Sequence, residues 1–319
     1  MNPMIGGLRM AAFAALVALS VASCGGGGGG STDSASNGAT NTGTSGSTTN
    51  PTGGTATPAA KNAKRGVAYD FATPDDLAAV SSNVSWWYNW SLTPNAGVPS
   101  DYATRYNMQF IPMLWNGSFN DASVVAYLQA NPSIKYLLVL NEPNLVDQAD
   151  MTPSAAAALW PRYEAISAAT GVKIVGPAMN WGTLPGYSDP VVWLDEFIAD
   201  YQAANGGRSP QIDYLAFHWY DYGLASQLNA LDKYGKQIWV TEFANWHSAN
   251  DGAQLIDTLA AQQAQMKDMV STCETRPDVF RYAWFTGRIS PDPHFTSLLG
   301  ANGQLTGLGT TYTGLPAGQ

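Results

Sequence analysis

Cysteine, histidine and charge are all scarce in this chain, and each scarcity removes a class of function. Two cysteines in 319 residues cannot build a disulfide framework. The three histidines are His218, His247 and His294, with no HExxH and no CxxC pair, so neither a metal nor a cofactor is expected. Charged residues are only 12% of the chain, the net charge is −9 and there is no basic run. That leaves no electrostatic footprint for nucleic acid or for an anionic surface. A GxSxG elbow and a GxxxxGK[ST] loop are also missing. The run Gly25–Gly30 formally fits GxGxxG, but no strand leads into it and no helix follows, so it is no dinucleotide site.

What is abundant is apolar and aromatic. Hydrophobic residues make up 45% of the chain, enough for a large core. Eleven Trp and 15 Tyr suit a neutral partner, because a flat ring stacks on the C–H face of a sugar as readily as it fills a core.

Three segments differ in character. Residues 1–23 carry Arg9 and an apolar run, Met10 to Ala22, too short for a confident membrane span. The run ends in Val21-Ala22-Ser23-Cys24, which resembles a bacterial lipobox with Cys24 as the lipidated residue; an ordinary secretory signal cut near Ser23 is the alternative. Either way a secreted protein is expected, anchored by lipid to the cell envelope in the first case. Residues 24–63 are rich in Gly, Ser, Thr, Asn and Pro and read as a disordered tether. Residues 64–319 read as one catalytic domain acting as a monomer. Cys273, in an apolar stretch, is expected to be a buried free thiol.

In that domain short apolar runs alternate with Ala-rich segments. Strands are expected near 66–68, 84–88, 109–113, 136–141, 173–176, 214–218, 237–242 and 282–285. Helices are expected near 75–82, 121–129, 153–169, 190–203, 224–234 and 254–272, two of them opened by Thr152-Pro153 and Asp189-Pro190. Eight strands alternating with helices imply an α/β fold, a (β/α)8 TIM barrel. A doubly wound sheet would need a glycine-rich phosphate turn after the first strand, where Tyr69-Asp70-Phe71-Ala72 stands instead.

Two of the apolar runs end abruptly in a glutamate. The fourth strand leads into Asn141-Glu142-Pro143-Asn144 and the seventh into Thr241-Glu242-Phe243. The C-terminal strand ends of a barrel share one mouth, so Glu142 and Glu242 should face each other across it, as glycosidic cleavage requires. Either Glu alone would read as a cap or a solvated loop residue. An Asn next to an aromatic recurs at other strand ends: Asn89 and Trp90, Trp115 and Asn116, Asn180 and Trp181. With Trp246 these outline a carbohydrate cleft. Asp70 belongs to the same rim or to a loop ion pair.

The ordered set Arg65-Gly66-Val67-Ala68-Tyr69, Trp86-Trp87-Tyr88-Asn89-Trp90, Asn141-Glu142-Pro143-Asn144, His218-Trp219-Tyr220 and Thr241-Glu242-Phe243 resembles glycoside hydrolase family 128 of clan A. The resemblance spans about Lys64 to Leu315 and implies retaining hydrolysis of β-1,3-glucan, in the manner of an endo-β-1,3-glucanase. It implies that Glu142 is the general acid/base, Glu242 the nucleophile, Tyr220 a hydrogen-bond donor to Glu242 and Trp284 a platform beneath the cleaved sugar. For Trp284 a core position is the competing view. Asn141 would bind the sugar 2-hydroxyl or cap the next turn. His218 would orient the nucleophile, bind sugar or be structural. A surface protein that only binds β-glucan oligosaccharides, or a clan A hydrolase of another β-glycan, is the rival reading.

Overall fold

The computed structural model describes residues 61–301 and 303–317. The signal segment and Cys24 therefore lie outside the described residues, as does nearly all of the tether.

Every pairing between the strands named below is parallel. The strands are β1 (Arg65–Ala68), β2 (Trp86–Tyr88), β3 (Gln109–Phe110), β4 (Met113–Leu114), β5 (Tyr136–Val139), β6 (Lys173–Met179), β7 (Tyr214–Trp219), β8 (Ile238–Phe243) and β9 (Val279–Trp284). Their order is β3-β2-β1-β9-β8-β7-β6-β5-β4. β3 and β4 are halves of one strand interrupted at Ile111-Pro112. The first half pairs with β2 and the second with β5. The third barrel strand thereby joins the two ends of the sheet, and a (β/α)8 barrel results. The fourth and seventh barrel strands are β5 and β8.

Both sheet faces are apolar, as a sheet covered on both sides requires. Side chains alternate along each strand: Trp86, Met113, Leu138, Ala216, Trp239 and Ala283 fill the barrel interior. Val67, Trp87, Val139, Phe217, Val240 and Trp284 pack outward under the helices.

The helices are α1 (Pro74–Val80), α2 (Tyr102–Arg105), α3 (Asp121–Ala130), α4 (Pro153–Thr170), α5 (Pro190–Ala204), α6 (Leu224–Leu231), α7 (Leu259–Thr275) and α8 (Gly307–Gly314). Thr73, Thr152 and Asp189 cap α1, α4 and α5 through their side chains, each ahead of a proline in the first turn. α7 begins at Leu259 rather than near residue 254, because Thr258 supplies its cap. α2 and α8 have no counterpart in the sequence reading. The barrel floor is closed by Arg281, whose guanidinium lies over the rings of Trp239 and Tyr136. Cys273 is buried and free.

Candidate active site

The two glutamates do meet at the C-terminal mouth, but regular strand geometry does not bring them there. Along β8, Trp239 points inward and Val240 outward, and strict alternation would send Glu242 outward. The register with β9 shifts between Val240 and Phe243, and that with β7 shifts between Phe217 and His218. Such irregularities re-aim side chains beside active sites. On the opposite strand, Leu140 and Glu142 both take left-handed backbone angles, with φ of 54° and 45°. These are uncommon for residues with a side chain and are tolerated where the surrounding structure holds them.

The carboxylates are nearly buried, Glu142 at 6% and Glu242 at 4% exposure. Glu142 Oε1 lies 2.9 Å from the donor Asn180 Nδ2 and 2.8 Å from His218 Nδ1. Asn180 follows β6 and is fixed by Asn144, which donates to its carbonyl at 2.7 Å. Asn141 gives its amide N–H to Gln148, while its own Oδ1 is buried without a partner.

Glu242 sits among proton donors. Its Oε1 accepts from the Tyr88 hydroxyl and from the Trp90 indole N–H, both at 2.7 Å, and its Oε2 accepts from the Tyr220 hydroxyl. Burial first, and then the charge of Glu242, raises Tyr88 and Tyr220 well above the ordinary phenol range. Both therefore keep their protons and remain donors. Three neutral donors thus converge on one carboxylate and fix its orientation.

His218, fully buried, links the pair. Its Nδ1 is 2.8 Å from Glu142 and 3.6 Å from Glu242, and its Nε2 is 2.9 Å from the Thr241 hydroxyl. Burial opposes the charged imidazole, but the charges of Glu242 and Glu142 outweigh it and raise His218 above its ordinary value. One carboxylate oxygen from each glutamate and a His218 ring nitrogen all lie within 4.8 Å of one another. Among the described residues these three are the set that could ligate a cation. The hydroxyl, indole and amide donors aimed at the same oxygens would oppose one, since a metal would compete with their protons for the lone pairs.

The remaining expected residues divide. Trp246 stacks on Tyr220, with ring centroids 4.3 Å apart, so it braces the donor to Glu242. Trp115 borders a cavity of about 320 Å³ that reaches Trp90. Trp284 is corrected: it is wholly buried on the outer face of the sheet, its ring against Phe243 and its N–H on the Thr296 carbonyl. The next residue, Phe285, faces the mouth instead, edge-on to Trp90, Tyr220 and Trp246. Asn89 is also corrected. Its Nδ2 is occupied by Asp70 and the Thr93 carbonyl and its Oδ1 accepts the Ser91 N–H, so it holds a loop and has no free N–H for a sugar. Sequence reasoning missed Tyr88, Thr241, Asn144 and Phe285. Tyr88 and Trp90 stand two apart, the spacing that places strand residues on one face, and that signal could have found Tyr88.

With this geometry in hand, likeness to known proteins is specific. Residues 66–312 match the family described as glycosyl hydrolase catalytic core. A solved GH128 (subgroup II) endo-β-1,3-glucanase from Pseudomonas viridiflava is 62% identical, with a TM-score of 0.80 over 81% of this chain and 100% of that one. A GH128 (subgroup I) endo-β-1,3-glucanase from Amycolatopsis mediterranei, solved with laminaritriose, is 28% identical, with a TM-score of 0.60 over 79% and 98%. The alkali-sensitive linkage protein 1 of Schizosaccharomyces pombe is 26% identical over 242 residues, 70% of this chain. The chain spans 39% of the length of that relative.

Proposed function

Because the chain belongs to the glycosyl hydrolase catalytic core family, and within it to GH128, we propose that it is a retaining endo-β-1,3-glucanase with Glu242 as nucleophile and Glu142 as acid/base. The observation that carries the mechanism is the separation and unlike surroundings of the two carboxylates. Oxygens within 4.8 Å suit direct attack, since retaining pairs stand about 5–5.5 Å apart and inverting pairs leave room for a water. Glu242, oriented by three donors, attacks the anomeric carbon while Glu142 gives its proton to the departing glycosidic oxygen. A water then gives a proton to Glu142 and its oxygen to the anomeric carbon, and the bond to Glu242 breaks. Tyr88, Trp90 and Tyr220 orient the nucleophile. The unpartnered Asn141 Oδ1 is placed to accept a sugar hydroxyl.

Rates on laminarin, cello-oligosaccharides and mannan test the substrate. Laminarin should be cleaved fastest, into oligosaccharides of mixed length. Binding of laminari-oligosaccharides without release of reducing ends would make the protein a lectin. For the roles, Glu142→Ala should lose about 10²–10⁴-fold on laminarin, keep activity on an activated aryl glycoside, and yield a β-glycosyl azide with azide. The same product from Glu242→Ala would reverse the two roles.

The lipobox-like Val21-Ala22-Ser23-Cys24 and the polar stretch after it support a further proposal: the enzyme leaves the cytoplasm and is tethered through lipid on Cys24. Cys24→Ser should move laminarin-cleaving activity from the membrane fraction to the soluble one, and activity that stays put would contradict the anchor.

A further inference from the structure

We propose that Trp181 is the sugar platform on the leaving-group side of the cleft, stacking on a β-glucosyl unit of the chain that departs. This rests on the hydrolase reading above and extends it. Asn180 works in two directions: its Nδ2 donates to Glu142 Oε1 at 2.9 Å, and its Oδ1 accepts the Trp181 backbone N–H at 2.8 Å. A single amide thereby fixes both the acid's carboxylate and the backbone that carries the indole. The indole N–H is in turn held by Gln227 Oε1 of α6 at 2.8 Å, which sets the ring across the loops after β6 and β7.

Trp181 is 40% exposed, whereas Trp86, Trp87, Trp160, Trp193, Trp239 and Trp284 are fully buried. The rings of Trp90 and Trp246 at the same mouth are packed on Phe285 and Tyr220. A large ring whose polar edge is satisfied and whose face is open is suited to an apolar, flat contact, which the C–H face of glucose provides. The side follows from chemistry. Glu142 must touch the oxygen that leaves with the departing sugar, and Trp181 is anchored to the residue that orients Glu142. Its face therefore serves the departing chain and not the sugar that becomes bonded to Glu242.

Two substrates separate these sides. Laminarihexaose has glucosyl units on both, whereas 4-nitrophenyl β-laminaribioside, cleaved at its aryl bond, has no sugar leaving. In Trp181→Ala, kcat/KM on laminarihexaose should fall about tenfold and the aryl substrate should stay within about twofold of wild type. Gln227→Ala, which keeps the ring but frees its edge, should shift the same way by less. Support of Glu142 alone would also spare the aryl substrate, so the partition of the glycosyl-enzyme decides: with laminaribiose added as acceptor, Trp181→Ala should give about tenfold less transfer product per hydrolysis than wild type. An unchanged ratio would mean that Trp181 only supports Glu142, and an unchanged laminarihexaose rate would mean that no platform exists; either overturns the proposal. Wild-type protein inactive on both substrates would instead bring down the hydrolase reading itself.

Discussion

Each donor on Glu242 can be removed singly. Tyr88→Phe keeps the ring against Trp86 and Trp90 and deletes only the hydroxyl on Oε1. A hydrogen bond to a charged group makes this worth roughly 10- to 100-fold in kcat on laminarin. A variant with unchanged kcat would remove Tyr88 from the support of Glu242. His218 supplies a pH signature. Its folded value lies above 6.5 because both glutamates face it. The stability its proton contributes is complete below 6.5 and is lost as pH rises through the raised value. Thermal midpoints of wild type should therefore drop on moving from mildly acidic to alkaline buffer, and His218→Gln should lack that part of the slope. Equal slopes would contradict the charged imidazole. At this scale the glutamates were legible because an apolar run that ends in Glu is unusual. Tyr88 was passed over, since a Tyr inside a strand reads as core, although its spacing from Trp90 was a usable signal. Trp284 was misplaced because Tyr282-Ala283-Trp284-Phe285 is apolar on both faces and does not reveal which face is the interior.

At the level of elements, the strand and helix pattern was readable from alternation and caps, and what escaped it was irregular. Pro112 splits the third strand, the shifts in β7 and β8 re-aim Glu242, and Leu140 and Glu142 turn left-handed. None of these follows from hydropathy: proline interrupts a ladder because it lacks an N–H, and the two register shifts depend on the neighbouring strands. The loop after β6 is one place where this geometry can be probed. A Cβ on Gly182 would stand 2.0 Å from the Asn144 carbonyl oxygen and 2.6 Å from its Nδ2. Gly182→Ala must therefore push Asn144, which holds Asn180, which holds Glu142. It should cost about 1–3 kcal/mol in denaturant unfolding, as overpacking does, and should lower kcat beyond what stability explains. A variant as stable and as active as wild type would show that this chain of contacts does not position Glu142.

Over the whole molecule, the barrel gathers residues far apart in sequence at one mouth, with an arginine under aromatic rings closing the other end. The acidic balance and the lack of a basic run suit an uncharged polysaccharide. The fold and the identity of the two carboxylates could be inferred from strand ends alone, whereas the linkage cleaved came only from likeness to other proteins. Both meet in one measurement, the anomeric form of the first product. Laminarihexaose digested in an NMR tube and followed from the first minutes should show new reducing ends as the β-anomer, with α appearing only by mutarotation. Reducing ends that first appear as α would mean inversion and would contradict Glu242 as the nucleophile of a double displacement.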